Sequence, residues 1–157
     1  MLGKQTRQDY LIEKSTTADL DAVMEIERLS FPTPWPREAF ADELARSWAR
    51  IEVLRQVASG RVVAFCNYWL VTDELHILNI AVHPDERRHG HASTLLRHIL
   101  AQARTASFRV LSLEVRISNR AAQALYRKFG FKEVGLRPKY YADTGEDALL
   151  MDLELSR

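Results

Sequence analysis

The chain has 157 residues, 46% of them apolar and 27% charged, the composition of a globular protein about one domain long rather than of a disordered one. Lysines and arginines number 22 against 21 aspartates and glutamates, and the formal net charge of +1 gives no support to wholesale nucleic-acid binding. The one cysteine, Cys66, excludes an internal disulfide and a cysteine-rich zinc site, and its place in an apolar run reads as a small buried hydrophobe.

Residues 1–7 carry no secretory apolar region. The longest nearly apolar run, Val62–Val71, is interrupted by Asn67 and is shorter than the roughly 20 residues that span a bilayer. A reducing, cytoplasmic setting without membrane contact is the expectation. A short first strand is predicted over Tyr10–Lys14. Thr16 stands three residues before Asp19, close to capping-box spacing. Leu20, Val23 and Met24 follow at helical intervals, with Glu27 in step, so a helix is predicted to run to about Leu29. Pro32, Pro34 and Pro36 forbid a regular helix over 31–36 and demand an extended or turning loop. A second helix carries Phe40 and Leu44 on one face.

The middle of the chain reads as β. Ala49, Ile51, Val53 and Val57 alternate with polar residues, Arg55 breaking the parity. Ser59-Gly60 turns into a strand over 61–71, and Thr72-Asp73 into another over Glu74–Val82; such short connections predict an antiparallel meander. After Pro84 the pattern changes. Ala92, Leu95, Leu96, Ile99, Leu100 and Ala103 recur at the spacing of a strongly amphipathic helix. A strand follows over 110–115, then a helix over 119–129 capped by Asn119 and ended by Gly130, then closing strands over 131–134 and 148–155. The expected class is α/β (α+β): a mixed central sheet of about seven strands flanked by four helices, in a single domain over 1–157.

Two constellations carry candidate chemistry. In the first, Ile80-Ala81-Val82 leads through His83-Pro84-Asp85-Glu86 into Arg87-Arg88-His89-Gly90-His91-Ala92-Ser93. Gly90 permits a tight turn, and the helix beginning near Ala92 offers unpaired N–H groups and a positive dipole end, which suit a phosphate. Arg87 and Arg88 add charge and Ser93 a hydroxyl. A solvated basic turn before an ordinary helix is an equal reading. Neither Gly-x-x-x-x-Gly-Lys-Ser/Thr nor Gly-x-Gly-x-x-Gly is present. His83, His89 and His91 suggest a metal, but no carboxylate–histidine helix motif accompanies them, and no metal is expected.

In the second, Glu114 interrupts an apolar strand near its carboxyl end, the place where open α/β sheets gather ligands. A partly desolvated carboxylate there should have a raised pKa and suit general-base work. A salt bridge with Arg116 or a neighbour is the plainer reading. Asn119 and Tyr126 share one helix face two turns apart; Asn119 can both cap and touch a ligand, while Tyr126 reads equally as a core ring.

Taken together, Arg-x-x-Gly-x-Ala after Ile-Ala-Val-x-Pro, then Leu-Glu-Val-Arg-x-Ser-Asn-x-x-Ala-x-x-Leu-Tyr-x-x-x-Gly-Phe, resembles the GNAT superfamily of N-acetyltransferases. The resemblance is close over residues 75–155 and extends to the whole chain in element order. Within the superfamily the sequence is most similar to the RimI-type protein N-terminal alanine acetyltransferases. Phe31-Pro32 with Pro34-Trp35, Glu114, and Tyr140-Tyr141 before Gly145-Glu146-Asp147-Ala148 carry that likeness.

The resemblance implies a GNAT fold whose splayed parallel strands hold acetyl-CoA as cosubstrate. Backbone groups of Ile80, Ala81 and Val82 would hold the pantetheine arm and polarise the thioester. The amides of Arg88, His89, Gly90, His91, Ala92 and Ser93, beside Arg87, would cradle the pyrophosphate. Asn119 would hydrogen-bond the coenzyme, and Tyr126 would reach its sulfur. Glu114 would be the base, directly or through water, and Tyr126 the acid that protonates the leaving thiolate after direct attack by the amine. Phe31, Pro32, Tyr140 and Tyr141 would wall the acceptor terminus. Ala92 stands where a second glycine is usual, Pro36 where a capping serine is common, and His89 and His91 are unusual in the loop.

Amine basicity bears on the acceptor. An α-amine of pKa about 7.7–8.0 is roughly a tenth neutral at pH 7, a lysine of about 10.4 well under a thousandth. The expected acceptor is therefore a protein N-terminus, and the resemblance implies the N-terminal alanine of a small-subunit ribosomal protein. Lysine or small-molecule amines as acceptors, or a non-catalytic coenzyme A-binding regulatory module, are the alternatives. The near-neutral balance also conceals a split. Residues 13–45 hold eight acidic against three basic side chains, and 83–139 twelve basic against four acidic. This suggests an acidic acceptor side for a basic peptide and a cationic coenzyme side.

Overall fold

The capping box at Thr16 forms: its N–H donates to Asp19 Oδ2 at 3.0 Å, and the box starts a 3-10 turn over Thr17–Asp19 that runs on into a helix. This is a computed structural model that describes residues 9–155, so the expectation of no leader in residues 1–7 falls outside the described residues. The elements are β1 (Tyr10–Lys14), α1 (Leu20–Ser30), α2 (Arg37–Ala45), β2 (Ala49–Gln56), β3 (Val62–Val71), β4 (Glu74–Val82), α3 (His91–Thr105), β5 (Val110–Arg116), α4 (Arg120–Lys128), β6 (Lys132–Arg137) and β7 (Ala148–Glu154). The seven strands form one sheet in the order β1-β2-β3-β4-β5-β7-β6. Among the described residues no helix is long and apolar enough to cross a membrane. The chain divides into two compact units, Met1–Tyr68 with Asn79–His98, and Trp69–Leu78 with Ile99–Arg157.

In the first unit β1 pairs antiparallel with β2, Tyr10 opposite Gln56 and Lys14 opposite Glu52. Leu20, Val23 and Ile26 of α1, Phe40 of α2, Ile51 and Val53 of β2, Phe65 of β3 and Ala81 of β4 make one buried cluster. Each large side chain fully buried there contributes about 1.5–3 kcal/mol. The Phe40 ring meets Phe65 edge-on at 5.9 Å and Trp35 at 5.3 Å. Val57 lies beyond β2 and is exposed, and Leu54 is buried instead. Arg55 is accommodated because its guanidinium pairs with Glu13 at 2.6 Å and Asp19 at 2.8 Å. On α2, Glu43 is buried beside the half-buried Leu44; its carboxylate accepts from Arg46 at 2.8 Å and from Asn67 at 3.0 Å. Cys66 is fully buried, which pushes its thiol pKa well up and leaves it a small hydrophobe.

In the second unit β5 pairs parallel with β4, from Glu74 opposite Val110 to Ile77 opposite Leu113. β5 also pairs antiparallel with β7, and β7 with β6, so the last strand in sequence inserts beside β5. β6 reaches Arg137, further than the sequence pattern predicts, because pairing with β7 resumes past a bulge between Glu133 and Gly135 although its side chains face solvent. α4 starts as expected, Asn119 Oδ1 accepting from the Ala122 N–H at 3.1 Å, and Gly130 follows its end at φ +98°.

Candidate functional site

β4 carries the first group of candidate residues. Its registered pairing with β5 ends at Ile77, yet the strand continues to Val82. Among the described residues, the backbone groups on that edge past Ile77 have no β5 partner in register, which suits an extended ligand. Ile80 and Val82 are half-buried there, and Ala81 is buried. Beyond it the chain makes a 3-10 turn over Pro84–Glu86, and the Arg87 Nε donates to the Val82 carbonyl at 3.3 Å. Arg88 (φ +68°) and Gly90 (φ +76°) are both left-handed, so the backbone doubles back immediately before α3. The Thr94 N–H makes the first intrahelical bond, to the Gly90 carbonyl at 3.0 Å. The N–H groups of His91, Ala92 and Ser93 therefore face out of the positive end of the helix.

The loop histidines separate. His83 Nδ1 accepts from the Asp85 N–H at 3.1 Å, within its own turn. His89 and His91 stack at 5.6 Å and lie beside Glu86, and His91 is buried with its ring edge-on to Tyr10 at 4.6 Å.

The proline loop is anchored by a residue that sequence reasoning placed only on a helix face. Glu27 is 2% exposed; its Oε2 accepts from the Trp35 N–H at 3.1 Å and its Oε1 from Asn79 Nδ2 at 3.0 Å. Burial raises its carboxyl pKa, and these two bonds oppose the shift. Glu27 lies on the same face of α1 as Leu20 and Val23, and a carboxylate on an apolar face was the available signal. Phe31 packs against the core cluster with Trp35, while Pro32 is exposed. Several acidic side chains of 13–45 are consumed locally: Glu13 and Asp19 by Arg55, Asp21 by Arg37, Glu43 by Arg46, and Glu27 as just described. The acidic field expected from the sequence is weakened accordingly.

In the second unit Glu114 lies half-buried on β5. His76 Nε2 is 3.1 Å from its Oε1, and His76 Nδ1 is 3.0 Å from Ser112 Oγ. The bond to His76 holds the Glu114 carboxyl below its ordinary range, outweighing partial burial. This overturns the raised pKa expected from desolvation alone. The plainer reading, a salt bridge with Arg116 or a neighbour, is met by the neighbour His76, because Arg116 is taken by Asp143 at 2.8 and 3.0 Å and by Glu146 at 3.3 Å. His76 opposes Ser112 in the parallel register, and Glu114 is two residues further along the same face. That register cannot be read from either strand alone, and so His76 was missed.

Asn119 is exposed at the start of α4, and its capping bond uses only the carboxamide oxygen. Tyr126 is 7% exposed and meets Phe131 edge-on at 5.5 Å, so its ring does serve as core. In the β6–β7 loop Tyr140 is exposed and Tyr141 half-buried, their rings edge-on at 5.1 Å. The Arg116 guanidinium lies 4.1 Å over the Tyr141 ring and Arg137 lies 5.6 Å over Tyr140. Burial pushes the Tyr141 phenol up to about 12.

A family model described as Acetyltransferase (GNAT) family matches residues 20–131. A Bacillus subtilis protein that carries the name [ribosomal protein bS18]-alanine N-acetyltransferase as a provisional assignment is 42% identical over 134 residues, 85% of this chain and 87% of that one. The Escherichia coli K12 [ribosomal protein bS18]-alanine N-acetyltransferase is 36% identical over 147 residues, 92% of this chain and 97% of that one. Among solved structures, the ribosomal-protein-S18-alanine N-acetyltransferase from Escherichia coli superposes with a TM-score of 0.86 at 37% identity, covering 94% of this chain and 95% of that one.

Proposed function

Because the chain belongs to the acetyltransferase (GNAT) family, we propose that it moves the acetyl group of acetyl-CoA to the N-terminal α-amine of a protein, the N-terminal alanine of ribosomal protein bS18. The observation that carries this reading is the 36% identity to the Escherichia coli enzyme of that name over 92% of this chain. Residues 1–157 act as one catalytic domain, in the cytoplasm with its ribosomal acceptor.

In this reading the free edge at Ile80, Ala81 and Val82 holds the pantetheine arm and polarises the thioester carbonyl. The turn from Arg88 to Ser93 binds the pyrophosphate through N–H groups at the α3 terminus, with Arg87 beside it. The Asn119 NH2 group donates to the coenzyme. Glu114, anionic at neutral pH, removes the proton of the α-ammonium, directly or through water. The amine nitrogen attacks the thioester carbon, the carbon–sulfur bond breaks, the Tyr126 hydroxyl protonates the departing thiolate, and the second proton shed by the acylated nitrogen restores the Tyr126 phenol by way of solvent. Phe31, Pro32, Tyr140 and Tyr141 enclose the acceptor terminus. Lysine acceptors fit less well, since far less of an amine of pKa about 10.4 than of an α-amine is neutral at pH 7.

Intact-mass analysis of ribosomal proteins from cells with and without the chain tests the proposal. One acetyl group should be missing from one N-terminus in the deleted strain. Turnover of an N-blocked, lysine-containing peptide in preference to the free Ala-initiated peptide would overturn it.

A further inference from the structure

The turn between β4 and α3, whose backbone N–H groups the proposed chemistry uses, also brings together three side chains to which that chemistry gives no part. Glu86, His89 and His91 bring one ligand atom each to within 4.8 Å of one another. His91 is 5% exposed, and its Nε2 is fully enclosed without a hydrogen bond, 3.5 Å from Glu86 Oε1. A buried ring nitrogen left in this state is rare in folded proteins and calls for a partner. The other oxygen of Glu86 is occupied, Oε2 lying 3.4 Å from Arg61 Nη1, so Oε1 is the free one. His89 Nδ1 is 3.0 Å from the Glu86 carbonyl. Donation through Nδ1 to a backbone carbonyl fixes the tautomer and leaves Nε2 as a lone pair, the usual arrangement of a metal-bound histidine.

We propose that Glu86 Oε1, His89 Nε2 and His91 Nε2 form a site for a divalent transition cation of the zinc type, with a fourth, open position for water. Two imidazoles and one carboxylate on three neighbouring backbone turns are a borderline-soft donor set that suits zinc better than magnesium or calcium. Bonds of about 2.0–2.1 Å in a tetrahedron put ligand atoms about 3.4 Å apart, the separation Glu86 and His91 already have. The cation would tie the 3-10 turn to the first residue of α3 across the left-handed Arg88 and Gly90. The sequence pointed instead to His83 as the third histidine and showed no carboxylate–histidine helix motif; the 3-10 turn brings Glu86 in its place.

The test uses the untagged full chain, freed of metal by chelator dialysis and titrated with Zn2+ in the absence of coenzyme, so that the result is independent of the acetyl-transfer reading. One Zn2+ per chain is expected, with a rise in melting temperature that saturates at one equivalent. Glu86→Gln and His89→Gln, both away from the packed core, should each weaken binding at least tenfold and abolish that rise; His83→Gln should change neither. With Co2+ as a second probe, wild type should develop a visible absorption band that His89→Gln lacks. Zn2+ binding of equal strength in wild type and the Glu86→Gln, His89→Gln double variant would overturn the proposal, as would a larger effect of His83→Gln or tighter binding of Mg2+ than of Zn2+.

Discussion

His76 Nε2 on β4 lies 3.1 Å from Glu114 Oε1 on β5, and Ser112 Oγ holds the other ring nitrogen at 3.0 Å. The carboxylate nominated as base is thereby stabilised in its charged form. A depressed folded-state pKa means that Glu114 remains ionised as pH falls below the ordinary glutamate value. The acidic limb of kcat/KM should then fall below about 4.3, and the rise toward pH 8 should follow the acceptor amine. His76→Gln removes the bond but leaves the burial, so the acidic limb should move to higher pH; a limb that stays in place would remove His76 from the mechanism. Glu114→Gln should lower kcat by about 10²–10⁴-fold with little change in KM for acetyl-CoA.

A second histidine bears on stability. His98 Nε2 sits 3.1 and 3.2 Å from the two oxygens of Glu52, whose Oε1 also accepts from Tyr68 OH at 2.6 Å. The hydrogen bond to Glu52 raises the His98 pKa, against burial. Burial pushes Glu52 up, but the bonds from His98 and Tyr68 override it and leave the carboxyl low. A histidine with a raised folded-state pKa contributes stability that is complete below its unfolded value of about 6.5 and is lost as pH rises through the folded value. Urea midpoints should therefore decline across that window, by about 1–2 kcal/mol in free energy. In His98→Gln the decline should disappear.

Gly90 tests the anion cradle. It has φ +76°, and an added Cβ would meet nothing within 4 Å, so the cost of Gly90→Ala lies in the backbone alone, about 1–2 kcal/mol. Gly60 has φ +73° with equally open surroundings and lies outside the loop. Both alanine variants should lose similar stability in a thermal melt. Only Gly90→Ala should raise KM for acetyl-CoA, several-fold, with kcat nearly unchanged.

Arg116 tests the tyrosine wall. Its two terminal nitrogens meet the two oxygens of Asp143 at 3.0 and 2.8 Å, and its plane lies 4.1 Å over Tyr141. Lysine keeps the charge but has neither the fork nor the planar face. Arg116→Lys should raise the KM for an Ala-initiated peptide by about tenfold, an order set by roughly 1.4 kcal/mol of lost positioning. KM for acetyl-CoA should hold constant, and equal rises in both constants would count against a role at the acceptor.

Local chemistry settles most elements from sequence. The Thr16–Asp19 box, the prolines of 31–36, the apolar stripe of α3, and the Asn119 and Gly130 stops act through neighbours a few residues away, and each appears where its pattern places it. Two kinds of feature needed the tertiary structure. One is strand register: nothing within 148–155 says that β7 enters beside β5, and nothing within β4 or β5 says that His76 reaches Glu114. The other is the protonation and pairing of charged groups. Glu27, Glu114 and Arg116 each take partners more than five residues distant in sequence, Trp35 and Asn79, His76, and Asp143 with Glu146. Hydrophobic period and capping depend on local spacing along the chain, whereas a carboxylate's pKa depends on which dipoles and charges the fold brings within a few ångströms. The sequence therefore identified Glu114 as the group to watch, and the fold reversed the direction in which its proton affinity moves.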